Sequence, residues 1–267
     1  KIKKKDFLVK DSAAKWNKKY LFEIYKKGQT PIKWYKKIFQ ICKRKKILCF
    51  TSPFDPQTVK ELEKLSCPAY KIASLEITNH SLLKSISKTK KPVIISTGGA
   101  SLIEIKNALK IFKKNKNVAL LKCTVKYPAK PESLNLKTIE SLQNKFKNTT
   151  IGFSDHSIGT TASILAVSLG AKIIEKHFIL NKKINSPDKT FSHDPKEFKN
   201  LVKKIRLAEE MLEKEKIDKK EILKGKLKTI TRSIFYSANI KKGNKITENN
   251  IKSVRPGNGL SLIFYEK

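Results

Sequence analysis

The sequence predicts an α/β fold, a largely parallel sheet wrapped by helices, followed by a small β-rich module. Three observations predict it. About six short apolar, β-branched runs alternate with helical segments; polar side chains recur at one end of those runs; and beyond residue 213 the rhythm gives way to an almost wholly charged stretch and then to alternation of period two.

In chain order, Asp11–Trp16 is followed by a polar helix with Tyr20, Leu21, Ile24 and Tyr25 on one face, and Thr30-Pro31 opens a second through Trp34, Ile38 and Ile41. Lys46–Phe50 reads as a strand ending in Thr51-Ser52-Pro53, and a helix from Asp55 carries Val59, Leu62 and Leu65 inward. The next strands are Ala69–Ala73, ending at Ser74 with Glu76 beyond, and Pro92–Ser96, ending at Thr97-Gly98-Gly99. Val118–Cys123 is another, leading into Thr124 and Tyr127-Pro128. The last two end in Gly152-Phe-Ser-Asp-His156 and Glu175-Lys-His-Phe178, joined by a small-residue helix that Gly170 closes. A strand–helix–strand unit is parallel and right-handed by default. A long amphipathic helix then runs from Asp194-Pro195 through Phe198, Leu201, Ile205, Ala208 and Leu212.

Catalytic groups that come from the carboxyl ends of several strands suit a barrel better than a single switch point. Here those ends carry Ser52, Lys71, Ser74, Ser96, Thr124, Ser154, Asp155, His156, Glu175 and His177. Six strands do not close an eight-stranded barrel, so the expectation is a TIM (β/α)8-type barrel lacking its first strands over residues 1–213. Residues 214–228 read as a linker, and 229–267 as a small β-rich domain incomplete at its C-terminal end. In it Thr231–Asn239 alternates like a strand, Lys241-Lys-Gly243 turns, Thr247–Asn250 caps a helical turn, and Arg255-Pro-Gly-Asn-Gly259 forms a loop.

The formal net charge of +36 is carried almost wholly by lysine spread along the chain. Recognition of nucleic acid favours arginine and clustered basic stretches with stacking aromatics, so the charge reads as a solvated surface that would attract an anionic substrate. No apolar run approaches the roughly 20 residues of a membrane span. Cys42, Cys49, Cys67 and Cys123 show neither CxxC nor metal-type spacing, which fits a reduced, cytoplasmic protein.

His156 and His177 end neighbouring parallel strands and so face one point in space, either as metal ligands or as satisfied core-edge histidines. Lys71, between Tyr70 and Ile72, is turned inward by strand alternation. Asp155 has three readings: a metal ligand, a group orienting His156, or a cap for the following helix. His80 and His193 read as surface loop residues, and Gly98-Gly99 as a loop able to meet phosphate at a helix N-terminus.

Tyr70-Lys-Ile-Ala-Ser74, Ser96-Thr-Gly98, Phe153-Ser-Asp-His156, Glu175-Lys-His-Phe178, Ser186-Pro-Asp188 and Arg255-Pro-Gly-Asn-Gly259 together resemble the sialic acid synthase family, in order along nearly the whole chain. Thr30-Pro31 before Trp34, Phe50–Phe54, Pro68–Ser74 and Asp188-Lys-Thr-Phe-Ser192 draw the likeness toward its pseudaminic-acid-forming branch. The resemblance implies a TIM barrel joined to an antifreeze-like (SAF) domain, in a homodimer whose small domain covers the partner's site. It implies a carbon–carbon bond-forming transferase that condenses phosphoenolpyruvate with a diacetamido-trideoxy hexose, using Mn²⁺ or Mg²⁺ and releasing phosphate. Carried over by position, His156 and His177 hold the metal, Lys71 pairs with phosphoenolpyruvate, and Ser52, Ser74, Ser96 and Ser154 donate to its oxygens. Glu76, Tyr127 and Asp188 match positions that hold the sugar, and Arg255 matches the arginine that reaches the N-acetyl group.

Two departures stand against the family pattern. Val125 replaces a polar residue after Cys123-Thr124, and the acidic residue and lysine of the family's first strands have no counterpart, so the chain reads as a fragment. The alternatives are an N-acetylneuraminate or legionaminate synthase and, in another class, an inactive homologue or a lysine-rich nucleic-acid-binding protein.

Overall fold

A computed structural model describes residues 4–10, 18–115, 117–212 and 229–265. It divides into two compact units, Lys1–Glu210 and Met211–Lys267. In the first, two amphipathic helices, α1 (Leu21–Gly28) and α2 (Ile32–Arg44), precede α3 (Pro56–Lys64). Strands β1 (Tyr70–Ile72), β2 (Val93–Ser96), β3 (Val118–Cys123), β4 (Thr150–Asp155) and β5 (Ile174–Lys176) then alternate with α4 (His80–Lys88), α5 (Leu102–Ile111), α6 (Thr138–Lys145) and α7 (Thr161–Ser168). Helix α8 (Pro195–Met211) closes the series.

The strands form one parallel sheet in chain order, β1-β2-β3-β4-β5. Alternation sends Tyr70, Ile72, Val93, Ile95, Leu120, Ile151 and Phe153 to the helix-covered face, where they join Leu62, Leu82, Leu83, Ile86 and Ala166 in the core. The opposite face carries Lys71, Ser96, Cys123, Ser154 and Glu175. Strands β1 and β5 would stand about 19 Å apart in a flat sheet, yet Lys71 Nζ reaches within 3.7 Å of Glu175 Oε2. The sheet is therefore curled, like part of a barrel wall, with its polar face inside the curve.

Single parallel bridges extend both edges, Thr51 to Tyr70 and Phe178 to His193. The first corrects the expected strand at Lys46–Phe50. Only Thr51 pairs, its carbonyl accepting the Lys71 N–H at 3.0 Å, while Ile47 and Leu48 are exposed. An apolar run becomes a strand only when a neighbouring strand takes up its backbone groups, and among the described residues none does so for Lys46–Phe50, whose first N–H groups turn back to α2.

Three helix ends follow one device. After α2, Lys46 adopts φ +56°, its N–H meets the Lys43 carbonyl at 3.0 Å, and Ile47 N–H meets the Cys42 carbonyl at 2.9 Å. Ser66 does the same after α3, with Cys67 N–H on the Leu62 carbonyl at 3.1 Å, and Gly170 after α7, with Ala171 N–H on the Ala166 carbonyl at 2.9 Å. These are left-handed terminations that satisfy the last carbonyls of each helix. Glycine occupies one of the three.

The second unit contains an antiparallel pair, β6 (Ser233–Tyr236) and β7 (Ile251–Val254). A bridge from Ile234 to Leu260 brings the Arg255–Gly259 loop back over it, and a Cβ on Gly259 would lie 2.8 Å from the Ile234 carbonyl. The proposed linker, 214–228, lies outside the described residues.

Candidate active site

The curled face gathers side chains from every strand. Lys71 Nζ donates to Ser96 Oγ at 2.8 Å and to the Ile72 carbonyl at 3.2 Å. Ser52 Oγ donates to the Lys71 carbonyl at 3.0 Å. Burial pushes the Lys71 ammonium below the ordinary lysine range, and Glu175 opposes that shift. Ser154 Oγ donates to Glu175 Oε1 at 2.6 Å, so Glu175 joins the lysine end of the site to β4.

Between β1 and β3, Ser74 Oγ accepts the Gly98 N–H at 3.1 Å. A Cβ on Gly98 would sit 2.6 Å from Val125 Cγ2 and 2.9 Å from Ser74 Oγ, so the closeness of these loops requires glycine there. The same N–H is thereby occupied, which leaves this glycine loop one donor fewer for phosphate. Burial pushes the Cys123 thiol up, but hydrogen bonds with His156, Ser74 and Ser154 outweigh it and leave the thiol below its ordinary range.

The other end of the site is a cluster of rings. His156 Nδ1 lies 2.8 Å from the Thr124 carbonyl, which fixes the proton on Nδ1 and leaves Nε2 free. The His156 and His177 ring centres are 5.2 Å apart at 78°. Tyr127 lies over His156 at 4.2 Å, and Phe191 packs against His177 at 4.9 Å. Asp188 Oδ2 stands 3.4 Å from His177 Nδ1. Burial lowers His156, but Cys123 and the Thr124 carbonyl outweigh it and raise the imidazole above its usual range. His177 is lowered, first by burial and then by its charged neighbour His156. A proton on one ring therefore disfavours a proton on the other.

Asp155, open to three readings from sequence, bonds a loop residue and a side chain of α7, while Thr160 at the N-cap of α7 has no side-chain cap bond, so Asp155 does not cap the helix. Oδ1 accepts Ser157 N–H at 2.8 Å and Ser157 Oγ at 2.7 Å, while Oδ2 accepts Ser163 Oγ of α7 at 2.6 Å. Lys176 Nζ stands 3.1 Å from Oδ2, and both side chains are essentially inaccessible. Alternation places this pair on the helix-covered face, away from His156.

Of the residues picked from sequence, Lys71, Ser52, Ser74, Ser96, Ser154, His156, His177, Tyr127 and Asp188 are brought into this one connected set. Glu76 follows β1 but is bonded to Asn79 Nδ2 at 2.8 Å, at the start of α4. Arg255 is exposed on its loop in the second unit. His193 is not a surface residue: it is buried, its N–H bonds the His177 carbonyl at 2.8 Å, and its bridge to Phe178 draws it under the sheet edge. Sequence reasoning placed Glu175 among the strand-end residues without giving it a part, and missed Cys123 and Phe191. Cys123 shared the strand-end position of the residues that were found, whereas Phe191 lies in a loop without periodicity.

Comparison with known proteins gives consistent matches. A model described as the NeuB family matches residues 1–217. The chain is 44% identical over 267 residues to the pseudaminic acid synthase of Campylobacter jejuni serotype O:2, covering 99% of this chain and 76% of that protein. It is 40% identical to the pseudaminic acid synthase of Helicobacter pylori, with coverage of 94% and 74%. The crystal structure of N-acetylneuraminic acid synthetase from Leptospira borgpetersenii superposes with a TM-score of 0.71 at 34% identity, covering 75% of this chain and 72% of that one.

Proposed function

The chain belongs to the NeuB family of sialic acid synthases, and we propose that it condenses phosphoenolpyruvate with a diacetamido-trideoxy hexose, giving pseudaminic acid and phosphate in a metal-dependent reaction. The observation that carries this reading is the strip of polar side chains from Lys71 to His177 along the inner face of the curled sheet. One end presents a buried ammonium among hydroxyls; the other presents two imidazoles with aromatic walls.

The lysine end suits a compact dianion. Lys71, largely stripped of solvent by burial, would pair with phosphoenolpyruvate while Ser74 and Ser96 donate to its phosphate and carboxylate oxygens, joined by Ser52 and Ser154 once their hydroxyls turn from the Lys71 carbonyl and from Glu175. Glu175 keeps the ammonium in place beforehand. The imidazole end fits a divalent ion: His156 presents Nε2 and His177 stands across from it, a donor set better matched to Mn²⁺ than to Mg²⁺. Among the described residues no three His, Cys, Asp or Glu side chains form an ion site, so the two histidines would leave remaining positions to water and substrate oxygens. When bound, the ion would polarise the sugar aldehyde as a Lewis acid. The new bond joins the phosphoenolpyruvate methylene to the aldehyde carbon, whose oxygen takes a proton; water adds to the carbon that bears the phosphate ester, and the C–O bond to phosphate breaks to leave the keto group.

Tyr127, Glu76 and Asp188 belong to the proposed sugar side. The second unit is proposed as an antifreeze-like domain that, in a homodimer, brings Arg255 to the partner's substrate. N-acetylneuraminate is the second reading for the product, favoured by the likeness to the Leptospira enzyme. Phosphate release, measured with phosphoenolpyruvate, Mn²⁺ and each candidate sugar in turn, separates the two. The proposal expects the diacetamido-trideoxy hexose to give the largest kcat/KM; preference for the N-acetylneuraminate precursor would replace it with the second reading.

A further inference from the structure

We propose that the turn Asp188–His193 is a positioning clamp for His177, in which Asp188 sets the tautomer and Phe191 the ring plane; this rests on the metal-site reading above. His177 needs such a device because it lies just past the end of β5, where the ladder that orders Glu175 no longer reaches it. His156 is held differently, by the carbonyl of Thr124 and the thiol of Cys123.

The clamp acts from three directions. From the backbone, His193 N–H bonds the His177 carbonyl at 2.8 Å, and Ile179 N–H bonds the His193 carbonyl at 2.9 Å. At the ring edge, Asp188 Oδ2 lies 3.4 Å from Nδ1. Phe191, 2% exposed, packs T-shaped against the ring at 4.9 Å and 66°. The turn is closed on itself, because the Asp188 carbonyl accepts Phe191 N–H at 3.3 Å, Ser192 N–H at 3.0 Å and Ser192 Oγ at 2.7 Å. Carboxylate and phenyl ring are therefore delivered together.

A carboxylate beside Nδ1 favours the proton there and frees Nε2, the arrangement commonly found behind metal-bound histidines. Phe191 also touches Tyr127, with ring centres 5.7 Å apart, and so limits rotation of both neighbours. This assigns Asp188 a task other than holding sugar. A residue that only holds sugar raises the sugar KM when removed and leaves metal affinity alone. A positioning residue weakens the metal.

Side-chain ¹⁵N NMR of His177 and Mn²⁺ titration calorimetry on the whole chain test the clamp. The wild type should show the Nδ1–H tautomer. Asp188→Ala should shift it toward a mixture and weaken Mn²⁺ roughly 10- to 100-fold, Asp188→Asn, which keeps an acceptor oxygen, should lose less, and Phe191→Leu, which keeps the site apolar and filled, should also weaken Mn²⁺. Wild-type nitrogen shifts and Mn²⁺ affinity in both Asp188→Ala and Phe191→Leu would overturn the proposal. His177→Ala separates it from the metal reading: that variant should lose Mn²⁺ binding, and if it does not the metal site falls, while the tautomer shift in Asp188→Ala still decides the clamp.

Discussion

Lys71 shows how a single side chain trades stability for binding. Burial lowers its folded pKa below 10.5, so the unfolded chain holds more protons between the folded value and 10.5, and stability rises with pH across that window. Below the folded value the charged lysine costs the native state a constant amount. Lys71→Met removes that cost and leaves Glu175, whose side chain is 39% exposed, to the solvent. The variant should be no less stable than wild type at pH 7, within about 0.5 kcal/mol, yet lose the thermal stabilisation given by phosphoenolpyruvate. A drop of several degrees in the apo melting temperature would contradict the assignment. Asp155 predicts the opposite behaviour. Asp155→Ala strands a buried Lys176 ammonium and should cost about 3–5 kcal/mol in chemical denaturation, while phosphoenolpyruvate contacts remain intact in whatever fraction stays folded. Lys71 was legible because alternation between two buried neighbours fixes its direction. Phe191 was not, since no period governs a loop and its partners His177 and Tyr127 come from distant segments.

The strands were legible as elements because helix-covered parallel strands are rich in apolar residues, nearly unbroken in β2 and β3 and interrupted by inner-face polar residues such as Lys71, Ser154 and Glu175 in β1, β4 and β5. That signal is blind to whether a partner exists, which is why Lys46–Phe50 read as a strand and pairs only through Thr51. Helix ends were less legible for a different reason. The usual marker is glycine, and Gly170 gave α7 its correct stop, but Lys46 and Ser66 fill the same left-handed position after α2 and α3. A left-handed L-residue costs about 1–2 kcal/mol, and glycine returns about 0.5–1 kcal/mol of that through the unfolded chain's entropy. Lys46→Gly and Ser66→Gly should each therefore gain about 0.5–1 kcal/mol, seen as a higher urea midpoint with an unchanged slope. Lower midpoints in both would show that these side chains make contacts worth more than the backbone strain.

For the molecule as a whole, the curl of the sheet turns a list of strand-end residues into a site. Lys71 and Glu175 are about 100 residues apart in sequence and come from opposite ends of the sheet, yet meet at 3.7 Å. No spacing in the sequence announces that contact; it follows from the curl of the wall. The net charge of +36 adds a positive field around a site proposed to take an anion. The central claim is that this strip performs a metal-dependent condensation with phosphoenolpyruvate at one end and His156 and His177 at the other. Mass spectrometry of the products formed by the purified protein with phosphoenolpyruvate, Mn²⁺ and the diacetamido-trideoxy hexose tests it most directly. The predicted result is a 2-keto sugar acid and an equal amount of phosphate, both lost in His177→Ala; no condensation product with any amino sugar, or one that His177→Ala forms equally well, would contradict the claim.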